Sequence, residues 1–426
     1  MKKIVLVCTL CLISMLSIAQ DDNGQRPPMP PMDKNGKMMP PPGGFGGDHK
    51  GMPKDFNRNG KNASIGSKSN TGYVLCKGEK VVEGMTYTST KADENAVQIT
   101  GGTLTMNDCT IKKISGDTKD NDGSSFFGIN SALYVGGMKS VVNMNGGKIT
   151  TDAMGSNAAF AGNGATLNIE NVCISCTKNL SRGIHATGNG TINAKNLHIE
   201  TAGNNSSVIA TDRGGGTVNV VGGDYSASGK DCAVLYSTGN ISIKNATGCS
   251  EQGEVGVIEG DNSIEIDDCN MTSNSSQRGL MILQSGSGDA NGMNGKIDVN
   301  GGTITMTDSV APLCEVPTNI SGTLTLKDVK LNVPSNVLML VDFNKRWTTS
   351  GGTGNLILTT DSTAEYAGTV KADQYGKVNV TVKKGVTWSV TADTDINKLS
   401  IDDGATILLN GHKLIYKTID NNGTIR

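Results

Sequence analysis

One short phrase returns along this chain at intervals of roughly 25 residues, and that return limits its folding more than any bulk property. It reads GGTLTMNDCTI at 101–111, GATLNIENVCI at 164–174, GTINAKNLHI at 190–199, GTVNVVGGDY at 216–225, NSIEIDDCNM at 262–271 and GTLTLKDVKL at 322–331. Weaker copies stand at 240–247, 295–304, 354–360 and 376–382. Apolar and polar residues alternate with period two inside each copy, the pattern of a strand with one buried face. Leu104, Leu167, Ile192, Val218, Ile241 and Ile264 hold the same place, and from Leu167 onward the numbering advances evenly from one to the next. The gap from Leu104 to Leu167 is more than twice as long; it holds a further copy at Val142 and an insertion near 115–128.

A second strand recurs between copies of the first. It reads SALYVGG at 131–137, NAAFAGN at 157–163, RGIHATG at 182–188, SVIATDR at 207–213, CAVLYST at 232–238, VGVIEGD at 255–261 and RGLMILQ at 278–284. Its second residue is Ala132, Ala158, Gly183, Val208, Ala233, Gly256 and Gly279, spaced as evenly as the first set. Two strand ladders with one period describe coils that bury their apolar faces only by stacking. The expected fold is all-β, a single-stranded right-handed parallel β-helix. At about 25 residues per coil and roughly 4.8 Å per rung, the repeat region makes about 14 coils and a rod of about 60 Å. Aromatics at 4% and 56 glycines suit such a core of small and β-branched residues. Leucine-rich spacing and the calcium nonapeptide repeat are both absent.

Residues 1–19 read as a signal peptide: Lys2 and Lys3, an apolar run from Ile4 to Ile18, and the small-x-small site Ser17-Ile18-Ala19. Gln20 stands where a lipoprotein would carry Cys, so a secreted, surface or periplasmic protein is expected. Residues 20–70 hold eight of the eleven prolines and read as a disordered linker. Residues 71–426 read as the β-helix, with a cap near Gly411–Arg426 to protect the last edge. No apolar run is long enough to span a membrane. The formal charge of −2, from 38 basic and 40 acidic residues, argues against a nucleic-acid partner. A monomer is expected.

The chain beyond the signal carries eight cysteines. Cys109, Cys173 and Cys269 recur in the first strand and read as an internal ladder of thiols, with structural disulfides as the alternative. Cys173 and Cys176 form a lone CxxC without the second pair zinc requires, and no metal site is assigned. The linker's Met29, Met32, Met38, Met39, His49 and Met52 are soft ligands of the kind copper(I) takes, though a Met-rich spacer looks the same. The best polar stripe runs along the second ladder and its exit: Arg182, His185, Asp212, Arg213, Tyr236, Glu259, Asp261, Arg278 and Gln284. Acids, arginines and a tyrosine on successive coils suit a polysaccharide or cell-surface glycan; solvated ladder residues and turn salt bridges read the same way. The apolar runs leave open whether His185 or Ile184 faces outward.

These repeats resemble right-handed parallel β-helix proteins of the pectate-lyase-like superfamily. More closely, ATDRGGGTVNV, YSTG and VIEGDNSI are similar to phrases in secreted adhesin-like β-helix proteins of gut bacteria. The resemblance spans about 71–420 and implies the fold. The hydrolases of the superfamily would add N-T-D, D-D, G-H-G and R-I-K in order. Here Thr211-Asp212 lacks the preceding Asn, Asp267-Asp268 lies in the other ladder, and Gly411-His412-Lys413 stands at the far end. A regular solenoid, balanced charge, a linker and no intact catalytic set make the expected function adhesin-like binding of glycans or cell surfaces without catalysis. The enzymatic alternative is a polysaccharide lyase or glycoside hydrolase using Asp212, Arg213 and Glu259. Calcium enters only with the lyase; otherwise no cofactor is expected.

Overall fold

The computed structural model describes residues 72–285, 287–344, 348 and 350–426. The expected signal peptide, linker and methionine cluster lie outside the described residues. The described residues form a parallel β-helix. All the paired strands are parallel, in one sheet of 15 strands and another of 20 among the described residues. The strand count agrees with the expected number of coils. Among the described residues, no helix is long and apolar enough to cross a membrane.

Each regular coil has three strands. One coil runs through Asn240–Lys244, Thr247–Ser250 and Gly256–Glu259; the next runs through Ser263–Asp267, Asn270–Ser273 and Leu280–Leu283. The first two strands of each such coil join the 20-stranded sheet, and the third joins the 15-stranded sheet. The corner between the first two is a single residue with left-handed backbone: Asp108 (φ 51°), Asn171 (φ 56°), Asn196 (φ 50°), Asn245 (φ 53°) and Asp268 (φ 47°). Asn and Asp tolerate that conformation because their short polar side chains bond locally, so the Asn or Asp closing each repeated phrase marks the corner. Where that residue is glycine the reason is spatial too: a Cβ on Gly222 would sit 2.4 Å from Asn196 Oδ1 on the rung below.

The first-ladder register is as the sequence implies. Leu104, Val142, Leu167, Ile192, Val218, Ile241 and Ile264 stack directly on one another, each almost wholly buried. Interdigitated columns of this kind are the core, and each large side chain fully buried is worth about 1.5–3 kcal/mol. The second-ladder alignment needs correction. Ile209 lies opposite Leu235, and Leu235 opposite Gly256. Val208 therefore continues into Val234 and Val255, not Ala233 and Gly256. The run Ala233-Val234-Leu235 is apolar throughout, so period two does not fix its parity.

The thiol ladder is also corrected. Cys109 lies opposite Gly147 but Cys173 opposite Lys148, so Cys173 stands one column over and is exposed, while Val172 fills the interior place. Cys109, Cys176, Cys232, Cys269 and Cys314 are buried, and no disulfide joins the cysteines of the described residues. Within residues 411–426, where a cap is expected, Leu414–Asn421 and Thr424–Ile425 continue the two sheets.

Candidate functional site: the roofed face of the 15-stranded sheet

The outer side of the 15-stranded sheet is not open to solvent over its middle coils. Tyr134, Phe160, His185, Ala210, Tyr236 and Val257 stack in one column, alternating with interior residues such as Ile184 and Ile209. His185 therefore faces away from the interior, which settles the parity left open by the sequence. Yet all six are buried. Ala210, Ala233, Tyr236, Val257, Met281 and Leu283 form an apolar cluster separate from the main core.

Two oversized coils supply cover. The interval from Leu104 to Val142 exceeds the regular one by about half, and the surplus contains a short helix, Asn121–Phe127. Asp120 caps it, its side chain accepting the Gly123 N–H at 2.8 Å. The helix is fastened to the sheet. Arg182 Nη1 donates to Ser125 Oγ at 3.0 Å, Thr187 Oγ1 to the Phe126 carbonyl at 2.9 Å, and Asn157 Nδ2 to the Ser124 carbonyl at 3.1 Å. The second surplus lies between Ile264 and Ile297, again a longer interval than the regular coil. Here Ser285 N–H donates to Glu259 Oε1 at 3.1 Å, the Ser285 hydroxyl donates to the same oxygen, and Asp289 is buried. Arg213 joins the two. Its guanidinium lies 4.0 Å from the centroid of the Phe126 ring, and its Nε donates to Asp289 Oδ1 at 3.0 Å.

Beneath this roof the charges are close and dry. Arg182 Nη2 lies 3.5 Å from Asp212 Oδ2. Burial pushes Asp212 up to about 7 although Arg182 opposes the shift; Asp289 and Glu259 add to it. Burial also raises Glu259, against the Ser285 hydroxyl and the Tyr236 hydroxyl, which donates to it at 3.3 Å. His185 is fully buried and its pKa falls well below the ordinary value, first from burial and then from Arg182. It is neutral, and neither ring nitrogen has a hydrogen-bond partner. Nε2 is 3.9 Å from Asp212 Oδ2, beyond bonding reach. Further along, Arg278 lies 2.8 Å from Glu315 and 3.4 Å from Glu254. Burial raises Glu315 to about 8 against the pull of Arg278.

The stripe read from the sequence thus divides. Arg182, His185, Asp212, Tyr236, Glu259 and Arg278 are buried under or beside the roof; Arg213 and Gln284 are half-buried; Asp261 is exposed and holds Asn294. Sequence reasoning misses Ser125, Phe126 and Asp289 from the roof, and Glu254 and Glu315 from the row below. The long interval between Ile264 and Ile297 is the signal that points to the second insertion. Among the described residues, no three His, Cys, Asp or Glu side chains converge to hold a metal ion.

As a class, this is a parallel β-helix with one elaborated face. Comparison with protein families, curated proteins and solved structures finds no match for the chain in any of the three.

Proposed function

We propose that this is a secreted or surface-associated, adhesin-like β-helix that binds glycans or cell surfaces without catalysis, and that it does so at the roofed face. The observation that carries this reading is the placement of the surplus residues. Insertions in a solenoid collect on the face that meets a ligand, because the stacked strands tolerate them only at turns. Here two insertions arch over one face and meet at Arg213. The buried polar row is then a foundation, and Arg213, Gln284 and Asp261, nearest the surface, are the contacts. Arg213 offers planar donors to sugar hydroxyls or carboxylates. The resemblance of the repeats to adhesin-like β-helices agrees with this reading.

The test is a panel of bacterial and host polysaccharides presented to the full chain, with Arg213→Ala beside Asn193→Ala on the opposite sheet. Binding should weaken about 10-fold or more for Arg213→Ala, the loss of one charged contact, and hold for Asn193→Ala. Equal effects would remove the roofed face from recognition. The lyase or hydrolase reading rests on a different observation: Asp212, raised to about 7, beside a neutral His185 with two unused nitrogens. Asp212 then titrates in the range of acid–base chemistry, beside an imidazole that burial keeps neutral. Release of unsaturated or reducing ends from a bound polysaccharide, abolished by Asp212→Asn, would replace the first reading with the second.

A further inference from the structure

The strand Leu414–Asn421 pairs on one side with Thr394–Ile401, and no described strand pairs with its other edge. Tyr416 and Ile419 stand in core columns, opposite Ile396 and Leu399, which are 1% and 0% exposed; Tyr416 and Ile419 themselves are 39% and 38% exposed. Among the described residues, the core columns thus carry two partly uncovered apolar side chains here, beside a strand edge with no described strand partner, and such an edge attracts another strand.

The facing pattern identifies which strand. Leu414, Tyr416, Ile419 and Asn421 lie on the core side, opposite Thr394, Ile396, Leu399 and Ile401. Ile415, Thr418 and Asp420 lie outside, and Lys417 falls with them at the corner. Read from either end, this order of inside and outside positions is the same. Only a self-complementary segment can pair with its own copy about a twofold axis. Centred between Lys417 and Thr418, antiparallel pairing sets Tyr416 against the second copy's Ile419, twice, and Leu414 against Asn421. A slip of one or two places either way sets inside positions against outside ones, which the pleat forbids. In the matching register Lys417 lies diagonal to the second copy's Asp420, within reach of a favourable charge pair, again twice.

We propose that two copies of this chain associate tail to tail through Leu414–Asn421, in place of the expected monomer, extending the 20-stranded sheet across a twofold axis and closing the open core. Among the described residues, the first coil does not offer the same contact. There Lys80 stands in the core column, opposite Leu104, and a charge in that place discourages head-to-tail growth. An edge of this size buries less than a standard interface, so the dimer forms at roughly micromolar concentrations. It presents two roofed faces on one particle, which would raise avidity for a repeating surface.

Light-scattering mass and sedimentation of the full chain over about 1 to 200 µM, the range where so small an interface should titrate, should show monomer passing to dimer. Ile419→Lys should leave only monomer, with an unchanged circular dichroism spectrum because the residue is exposed. Lys417→Asp should weaken the dimer about 10-fold, as like charges now face each other, and Lys417→Asp with Asp420→Lys should restore it. A wild-type chain that stays monomeric throughout overturns the proposal. So does a dimer indifferent to Ile419→Lys, a double variant that fails to recover, or growth into polymers.

Discussion

The two sheets are wound from the same coils and share one interior, yet their outer sides differ. The 20-stranded sheet is smooth. Its outward positions repeat small polar residues, as in the ladder where Asn168 donates to Asn143, Asn193 to Asn168 and Asn219 to Asn193, at 2.8–3.0 Å. The 15-stranded sheet is covered over its middle coils, and its outward row mixes aromatic rings with ions that water does not reach. The contrast locates the variable chemistry of this solenoid. The repeat fixes inward residues on both sheets, whereas outward residues are free to differ until an insertion covers them and makes them a second core.

Similar changes on the two sheets should therefore carry unequal costs. Arg182→Ala leaves Asp212 without its cation and Ser125 without its donor in dry surroundings, and should cost about 3–5 kcal/mol in denaturant unfolding. On the smooth sheet, Lys195→Ala breaks only the solvated pair with Glu170 at 3.9 Å, and about 0–1 kcal/mol is expected. Equal losses would mean that the roof does not exclude water.

The next effect is a pH dependence confined to the roofed side. Folded Asp212 keeps its proton up to about 7, while the unfolded side chain releases it near 3.8. Folding therefore takes up a proton between those values, and this contribution to stability falls as pH rises through that window. Asp212→Asn removes it. The stability of that variant relative to wild type should rise from pH 3.8 to about 7 and stay level above, with a slope of about 1.4 kcal/mol per pH unit inside the window. His185 acts in the opposite sense below its ordinary 6.5, but it is present in both proteins and drops out of the difference. A flat difference curve would place Asp212 in contact with solvent.

A small effect, comparable to that of Lys195→Ala, belongs to the asparagine ladder. Asn193→Ala removes two exposed side-chain bonds, and a loss of about 0.5–1 kcal/mol is expected by thermal unfolding. A loss several times larger would show that the smooth sheet depends on its surface ladder more than on the columns beneath it.

Much of this architecture can be read in the residues. The column from Leu104 to Ile264 follows from period two within a phrase and a fixed step between phrases. The corners follow from Asn and Asp at the phrase ends. The second ladder is legible only in part, because consecutive apolar residues at 233–235 serve one face of the sheet and, under a roof, the other as well. Cys173 escapes its expected column for a related reason: one residue of difference at a corner moves a side chain from interior to surface. The stripe is legible as a set of residues, but its burial is not, because an ion facing water and an ion under a helix are written with the same letter.

That the chain coils, how often it does so, and which residues look inward are all present in the order of its amino acids, since stacking equivalent positions is the one way such short strands can bury their apolar sides. What lies over the outer face is not. Arg213 and Asp289 are 76 residues apart along the chain, and Phe126 is farther still from Arg213. They meet because separate coils bring them to one place, and no local pattern records a contact of that range.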